Sequence, residues 1–507
     1  MFAEIHVERG RIRAILPCTT GTVIRTETDT WDFPGCHVLP GFVDAHCHLL
    51  GLGQRLTTVD LSSCRSAEEA ADLIASKMPA TGWVQAMGWN HEHWKNSALP
   101  TAAILDERVG NRSVVARRID GHAIWCSSAA LEAAGIGPRT IDPQGGFIVR
   151  DATGNPTGVL VDAATAAIEA VLPQPSREEL EQLYLLAANA CAEHGITEVH
   201  DMDVAPAWLE ALRPLAERGA LAVRVQAFVR GTGDAWDIHG LLPAGGEMLR
   251  LAGIKFFADG ALGSRGAWLL SPYSDAPLTT GLPFYTTEDL YAACEKVVEA
   301  GWPSIAIHAI GDAAVRQVLD VYERLRQHPT GADCILRIEH AQHVHPDDVH
   351  RFHTLGVIAS VQPTHCCSDA SMALARVGPE RAGWAYRWAS FTTSGCQVVG
   401  GSDFPIEPVG VLRGIDAFVR RIPGVTASDS TRQQERLTID QALDAMCCSP
   451  HMAADVDYRR GKLAVSYDAD LVIVDRDIRS LDPAEIMNTH IMATFMGGRC
   501  RFLRRPA

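Results

Sequence analysis

The chain has 507 residues, 47% of them hydrophobic and 21% charged, so it can bury more than one core and is neither a disulfide-stapled miniature nor a disordered polymer. Its 61 acidic residues against 45 basic ones leave a formal charge of -16, which repels polyphosphate and excludes nucleic acid or an anionic membrane as the main partner. No run reaches the ~20 apolar residues of a membrane helix. Residues 1–16 alternate charged and apolar side chains where a secretion signal needs a continuous apolar run, and the 14 cysteines lack the spacing of a disulfide framework; together these read as a cytoplasmic protein with reduced thiols.

Taken in chain order, Ile5 to Leu16 reads as a hairpin turning at Arg9-Gly10. Near the other end, Leu471 to Val474 reads as a strand and Ile491 to Phe502 as a second hairpin, interrupted by Gly497-Gly498. Neither end makes a domain alone, so one small β-sandwich built from both is expected. Between them, eight apolar stretches alternate with amphipathic helical ones: Val38 to Ala45, Gly195 to Asp201, Val223 to Val229, Gly253 to Asp259, Pro303 to His308, Cys334 to His340, Gly356 to Gln362 and Cys396 to Asp403. Helical patterns such as Glu288 to Ala300 and Asp312 to Gln327 follow them. The expected fold is α/β, a (β/α)8 TIM barrel with that sandwich and an insertion after the first barrel strand. The expected boundaries are residues 1–40 for the first part of the sandwich, 41–60 for barrel strand one, 61–184 for a turn-rich inserted subdomain over the barrel mouth, 185–450 for the remaining barrel and 451–507 for the second part of the sandwich.

Barrel enzymes carry reactive groups at the C-terminal ends of their strands, and here those ends are strongly polar. Strand one ends in His46-Cys47-His48, whose two imidazoles share one face of an extended chain and can share one ion. Strand four carries Lys255, strands five and six end in His308 and His340, and strand eight ends in Asp403. The chain has only five lysines (Lys77, Lys95, Lys255, Lys296 and Lys462), which makes one inside a barrel strand conspicuous. These groups suit one or two divalent ions, with zinc expected and manganese or iron as alternatives. Burial and nearby cations favour a neutral amine at Lys255, which can add carbon dioxide and bridge two metals as a carbamate; an ion pair with Asp259 is the alternative.

With Asp120-Gly121-His122, Gly154 to Leu160, Lys255 to Arg265, His308 to Asp312, Ile338 to Gln342 and Ser402 to Pro405 added, the sequence resembles the amidohydrolase superfamily, in its amidohydrolase-3 branch, over nearly its whole length. The resemblance implies His46, His48 and Asp403 on one metal, His308 and His340 on the other, and carboxylated Lys255 between them. It implies hydrolysis of a C–N bond in a small amide or formamide, with Asp403 as the base and then the acid and His122 as donor to the oxyanion. An ester, lactone or cyclic-imide substrate, or a catalytically inactive scaffold, is the alternative. Arg265, Trp268 and His365 are expected to contact substrate, with Arg265 neutralising local acids as the competing role. Where the branch shows a glutamate, this chain reads Val161-Asp162.

Other histidines receive plainer readings. His91 and His93 repeat the two-apart spacing without a barrel strand before them and are read as a decoy; His343 and His345, ahead of Pro346-Asp347-Asp348, are read as surface or supporting groups. His200, Asp201 and His365 either line the pocket or support it. The expected partner is a small molecule, and the expected assembly, if any, a homodimer.

Overall fold

The computed structural model describes residues 1–119, 123–143, 146–421 and 434–505, with the backbone alone at position 371. The chain divides into two compact units, Met1–Gly53 with Leu180–Ala507, and Gln54–Glu179. Among the described residues no helix is long and apolar enough to cross a membrane.

In the first unit, both ends of the chain build a sandwich. One sheet orders Arg11–Pro17, Ala3–Glu8, Gly21–Arg25 and Thr30–Pro34; the other orders Arg499–Leu503, Ile491–Met496, Leu471–Val474 and His37–Pro40. Alternating side chains from the two sheets meet in a core that includes Ile5, Ile24, Val38, Leu471, Ile473 and Phe495. The sequence reading of one strand from Val38 to Ala45 needs correction here. The run breaks at Gly41: His37–Pro40 pairs in the sandwich, and Phe42–Cys47 starts the barrel. A Cβ at Gly41 would lie 2.3 Å from Thr197 Oγ1, so only glycine lets the chain cross from one sheet to the other at this point.

Eight parallel strands follow the expected order: β1 (Phe42–Cys47), β2 (Ile196–Val204), β3 (Arg224–Arg230), β4 (Leu249–Phe257), β5 (Ser304–Ala309), β6 (Ile335–His340), β7 (Val357–Val361) and β8 (Val398–Gly400). The segment after β8 meets β1, with Asp403 N donating to His46 O at 2.8 Å and His48 N to Phe404 O at 2.9 Å. The (β/α)8 barrel with its sandwich, expected from the sequence, is the fold. Helices such as Thr287–Glu299 and Asp312–Leu325 pack their apolar faces outside the strands, within the main core. Inside, a polar set that includes Glu198, His200, Gln226, Lys255, Arg337, Glu339 and Ser360 is buried where branched apolar residues are usual. The β8–β1 seam is tight, because a Cβ at Gly401 would stand 2.4 Å from His46 N. Gly401→Ala is therefore expected to cost about 1–3 kcal/mol in denaturant unfolding. Unfolding superimposable on the parent's would show that the seam has room.

The second unit carries more regular structure than its turn-rich sequence suggests. It contains a mixed six-stranded sheet in the order Gly146–Arg150, Pro156–Asp162, Ala123–Cys126, Val114–Arg118, Val84–Trp89 and Val59–Asp60. Trp89, Trp94 and Trp125 pack together on one side of it.

Candidate metal centre

The C-terminal ends of the barrel strands bring most of the sequence-selected groups together. Extended backbone over β1 sends His46 and His48 to one side. His46 Nε2 lies 3.5 Å and His48 Nε2 3.2 Å from Asp403 Oδ1. One donor atom each from His46, His340 and Asp403 lies within 4.8 Å of the others. The His340 ring centroid is 4.8 Å from that of His46 and 4.4 Å from that of His308, and the His365 ring lies nearly parallel to it at 6.2 Å. His340 and Asp403 reach this cluster in left-handed backbone, at φ of 72° and 60°. By strict alternation His340 would point away from its neighbour Glu339's side of the strand; the reversed φ turns it inward. Such strain in non-glycine residues concentrates at functional sites.

The ring hydrogen bonds decide which nitrogens are left for a ligand. His48 Nδ1 donates to the Met202 carbonyl at 3.0 Å, and His46 Nδ1 faces Glu339 Oε2 at 2.6 Å, so in each ring Nε2 is the nitrogen left on the Asp403 side, able to bind a ligand once it carries no proton. Burial, with the Lys255 charge second, lowers the pKa of His46 to about 4 and of His308 to about 3. Burial likewise pushes His340 well below the ordinary imidazole value, helped by the neighbouring rings. Burial opposes a charged His48, but Asp403 prevails and raises its pKa. Burial also opposes ionisation of Asp403, and the imidazoles of His46 and His48 overcome it, leaving the carboxyl at about 2. Most of the set is thus neutral imidazole around an ionised carboxylate.

Lys255 is fully buried, and its Nζ makes no hydrogen bond; burial lowers its pKa to about 8. Asp259, the ion-pair partner left open by the sequence, is instead engaged by the amides of Trp268, Ile310 and Gly311 at 2.8, 3.0 and 2.8 Å. His308 Nε2, His340 Nδ1 and His365 Nε2 are also buried without a hydrogen-bond partner. A buried cluster of donors with open lone pairs is costly unless something fills it. This set of imidazoles, a carboxylate and an amine fits divalent ions, with the side chains of His46, His48, Lys255, His308, His340 and Asp403 able to hold them.

The remaining sequence-selected groups are placed differently. His365 Nε2 lies 3.9 Å from Asp403 Oδ2, at the cluster. Arg265, at a φ of 59°, grips Asp275 through Nε and Nη2 at 3.1 and 2.9 Å, which is the role of neutralising a local acid. Trp268 is half-buried and packs on the main core. His122 lies outside the described residues, and Asp162 starts a short 3-10 turn at the end of its strand. His91 and His93 form a 3-10 turn in the second unit. His345 caps the turn at Pro346–Asp348, as its sequence context suggests, but His343 is fully buried beside Trp384 rather than at the surface. His200 and Asp201 are buried: Asp201 accepts from Leu49 N at 2.8 Å, and His200 accepts from Arg337 at 2.8 Å. Sequence reasoning overlooked Glu339 and Arg337 as site residues. The available signal was two charges, two residues apart, in a strand that must face a dry interior.

Comparison with known proteins agrees with this geometry. A family model described as "Amidohydrolase family" matches residues 29–502. YtcJ of Bacillus subtilis (strain 168) is 33% identical, with 98% of this chain and 95% of that protein covered. The N-substituted formamide deformylase of Arthrobacter pascens is 25% identical over 99% of this chain and 95% of its own. The crystal structure of an uncharacterized metal-dependent hydrolase from Pyrococcus horikoshii superposes with a TM-score of 0.79 at 27% identity, covering 95% of this chain and 99% of that one. Because the match runs through every barrel strand, the chain belongs to the amidohydrolase family and is a metal-dependent hydrolase.

Proposed function

We propose that the protein hydrolyses a carbon–nitrogen bond in a small amide or formamide, at a centre of two divalent ions, with zinc the first choice. The observation that carries this reading is the gathering of His46, His48 and Asp403 beside three buried groups without hydrogen-bond partners on the relevant atoms, Lys255, His308 and His340. His46, His48 and Asp403 would hold one ion and His308 and His340 the other. The deprotonated fraction of the Lys255 amine, enlarged by burial, would add carbon dioxide and release one proton, and the resulting carbamate would offer carboxylate oxygens to the ions. Bound ions supply Lewis acidity, which makes water a better nucleophile at neutral pH and polarises a carbonyl.

The chain's own groups handle protons and orientation. Asp403, ionised at neutral pH, takes the proton as water oxygen bonds to the carbonyl carbon. The same carboxyl returns that proton to nitrogen as the C–N bond breaks, so one residue serves both half-reactions. His365 Nε2 stands 3.9 Å from Asp403 Oδ2, close enough to line the site beside the base. The relative from Arthrobacter pascens, named for deformylating N-substituted formamides, supports the choice of bond.

The test is hydrolysis of a panel of N-substituted formamides and primary amides by zinc-loaded protein. Turnover should fall at least ~100-fold after zinc is stripped by a chelator and return on zinc addition. Full zinc occupancy with turnover of esters or lactones only would replace the proposed bond, and no turnover of either class would overturn the catalytic reading.

A further inference from the structure

Behind the ligand cluster, a chain of buried polar contacts runs into the barrel axis. Arg337 Nε donates to Glu339 Oε1 at 2.8 Å, and its Nη2 approaches Oε2 at 3.3 Å. Glu339 Oε2 in turn receives His46 Nδ1 at 2.6 Å. The rest of the guanidinium is engaged as well: Nη2 donates to Ala45 O at 2.7 Å and Ser360 Oγ at 3.0 Å, and Nη1 to His200 Nδ1 at 2.8 Å. His46 is 1% exposed, and His200, Arg337 and Glu339 are fully buried. Arg337 therefore grips both the backbone of β1, one residue before His46, and the carboxylate that meets the His46 ring.

The chemistry of these donors leaves little freedom. A guanidinium has no acceptor, so His200 must present the bare lone pair of Nδ1 to it and carry its proton on Nε2. An ionised carboxylate has no donor, so His46 must carry its proton on Nδ1. Arg337 Nε and Nη2 both face the Glu339 carboxylate, a charge-assisted contact that favours its ionised form. One arginine thereby sets two imidazoles in opposite tautomers, one directly and one through a carboxylate.

We infer that Arg337 and Glu339 are positioning residues for the metal centre: they lock His46 in the tautomer that leaves its Nε2 lone pair facing Asp403. Neither touches the reacting atoms. The role goes beyond the proposed reaction, and its metal-affinity arm rests on the proposed ligand role of His46. It also makes Glu339→Gln an informative change. Because Arg337 offers only donors, the new amide must turn its oxygen to Arg337 and its NH2 to His46. His46 Nδ1 must then accept, and its proton moves to Nε2, where it blocks a ligand bond.

The experiment is nitrogen NMR of the histidine rings in full-length, metal-free protein, paired with zinc titration against a competing chelator. In the parent, His46 should be protonated on Nδ1 and His200 on Nε2. In Glu339→Gln, the His46 proton should shift to Nε2, His48 should stay unchanged because the Met202 carbonyl fixes it, and zinc affinity should fall ~10- to 100-fold. A parent His46 protonated on Nε2, or an unshifted ring in the variant, overturns the positioning role alone. A shifted ring with zinc affinity within about twofold of the parent overturns His46 as a ligand and the positioning role with it. If Glu339→Gln does not fold, the parent tautomers still decide the inference.

Discussion

Asp403→Asn is expected to lower kcat/KM on any amide the protein hydrolyses by at least ~10³-fold, with its fold retained. The size follows from what the carboxylate does in the proposed reaction, since an amide neither accepts the proton of the attacking water nor delivers one to nitrogen. The intact fold follows from the backbone. Asp403 sits at a φ of 60°, a conformation that asparagine tolerates nearly as well as aspartate, whereas alanine would add strain to the loss of chemistry. Asp403 N would still donate to His46 O, holding the β8–β1 seam. Steady-state kinetics at matched metal content, with thermal unfolding alongside, checks both halves. Activity within about tenfold of the parent would remove Asp403 from proton transfer.

Lys255→Met should separate stability from function in opposite directions. In metal-free protein, the Lys255 amine is fully buried with its Nζ unbonded, and burial lowers its pKa from 10.5 to about 8. The unfolded chain keeps the higher value, so between these two values it binds more protons than the folded chain, and the folded state is penalised below about pH 8. The penalty is on the order of 3 kcal/mol at neutral pH. Methionine fills similar space without charge, so the metal-free variant should be more stable than the parent by roughly 1–3 kcal/mol at pH 7. That gap should close as pH rises from about 8 toward 10.5, where the parent loses the same charge in both states. Zinc binding and turnover should meanwhile collapse. Denaturant unfolding of both metal-free proteins across this pH range, followed by zinc titration, reads all three effects. A variant less stable than the parent at pH 7 would mean that Lys255 has a partner in the folded protein.

The strand order and the gathering of polar groups at the strand ends were legible because each depends on local rules: apolar runs of strand length, helical patterns between them, and polar residues where runs end. What escaped depends on closure. Arg337 and Glu339 in an isolated strand read as solvent-facing charges, and only a closed barrel makes their side of β6 dry and brings His46 to Glu339. The break at Gly41 shows in the sequence only as a unit boundary between residues 40 and 41 and not as the end of a strand, since the apolar pattern runs on while Thr197, distant in the chain, forbids a side chain there. The sheet of the second unit hid among short strands separated by helices and turns. The inward turn of His340 was invisible as well, because alternation alone places it beside Ile338 and away from Glu339, and its left-handed φ reverses that.

The crossing at Gly41 also bears on how the protein matures. The segment that bears His46 and His48 is threaded between a sandwich strand paired with Leu471–Val474 and a barrel edge closed by the residues after β8. Both of those neighbours lie hundreds of residues further along the chain, so the early imidazoles wait without their partners until those segments have been made. Gathering His46 and His48 with Asp403 is therefore a long-range step of folding that no local segment can complete alone.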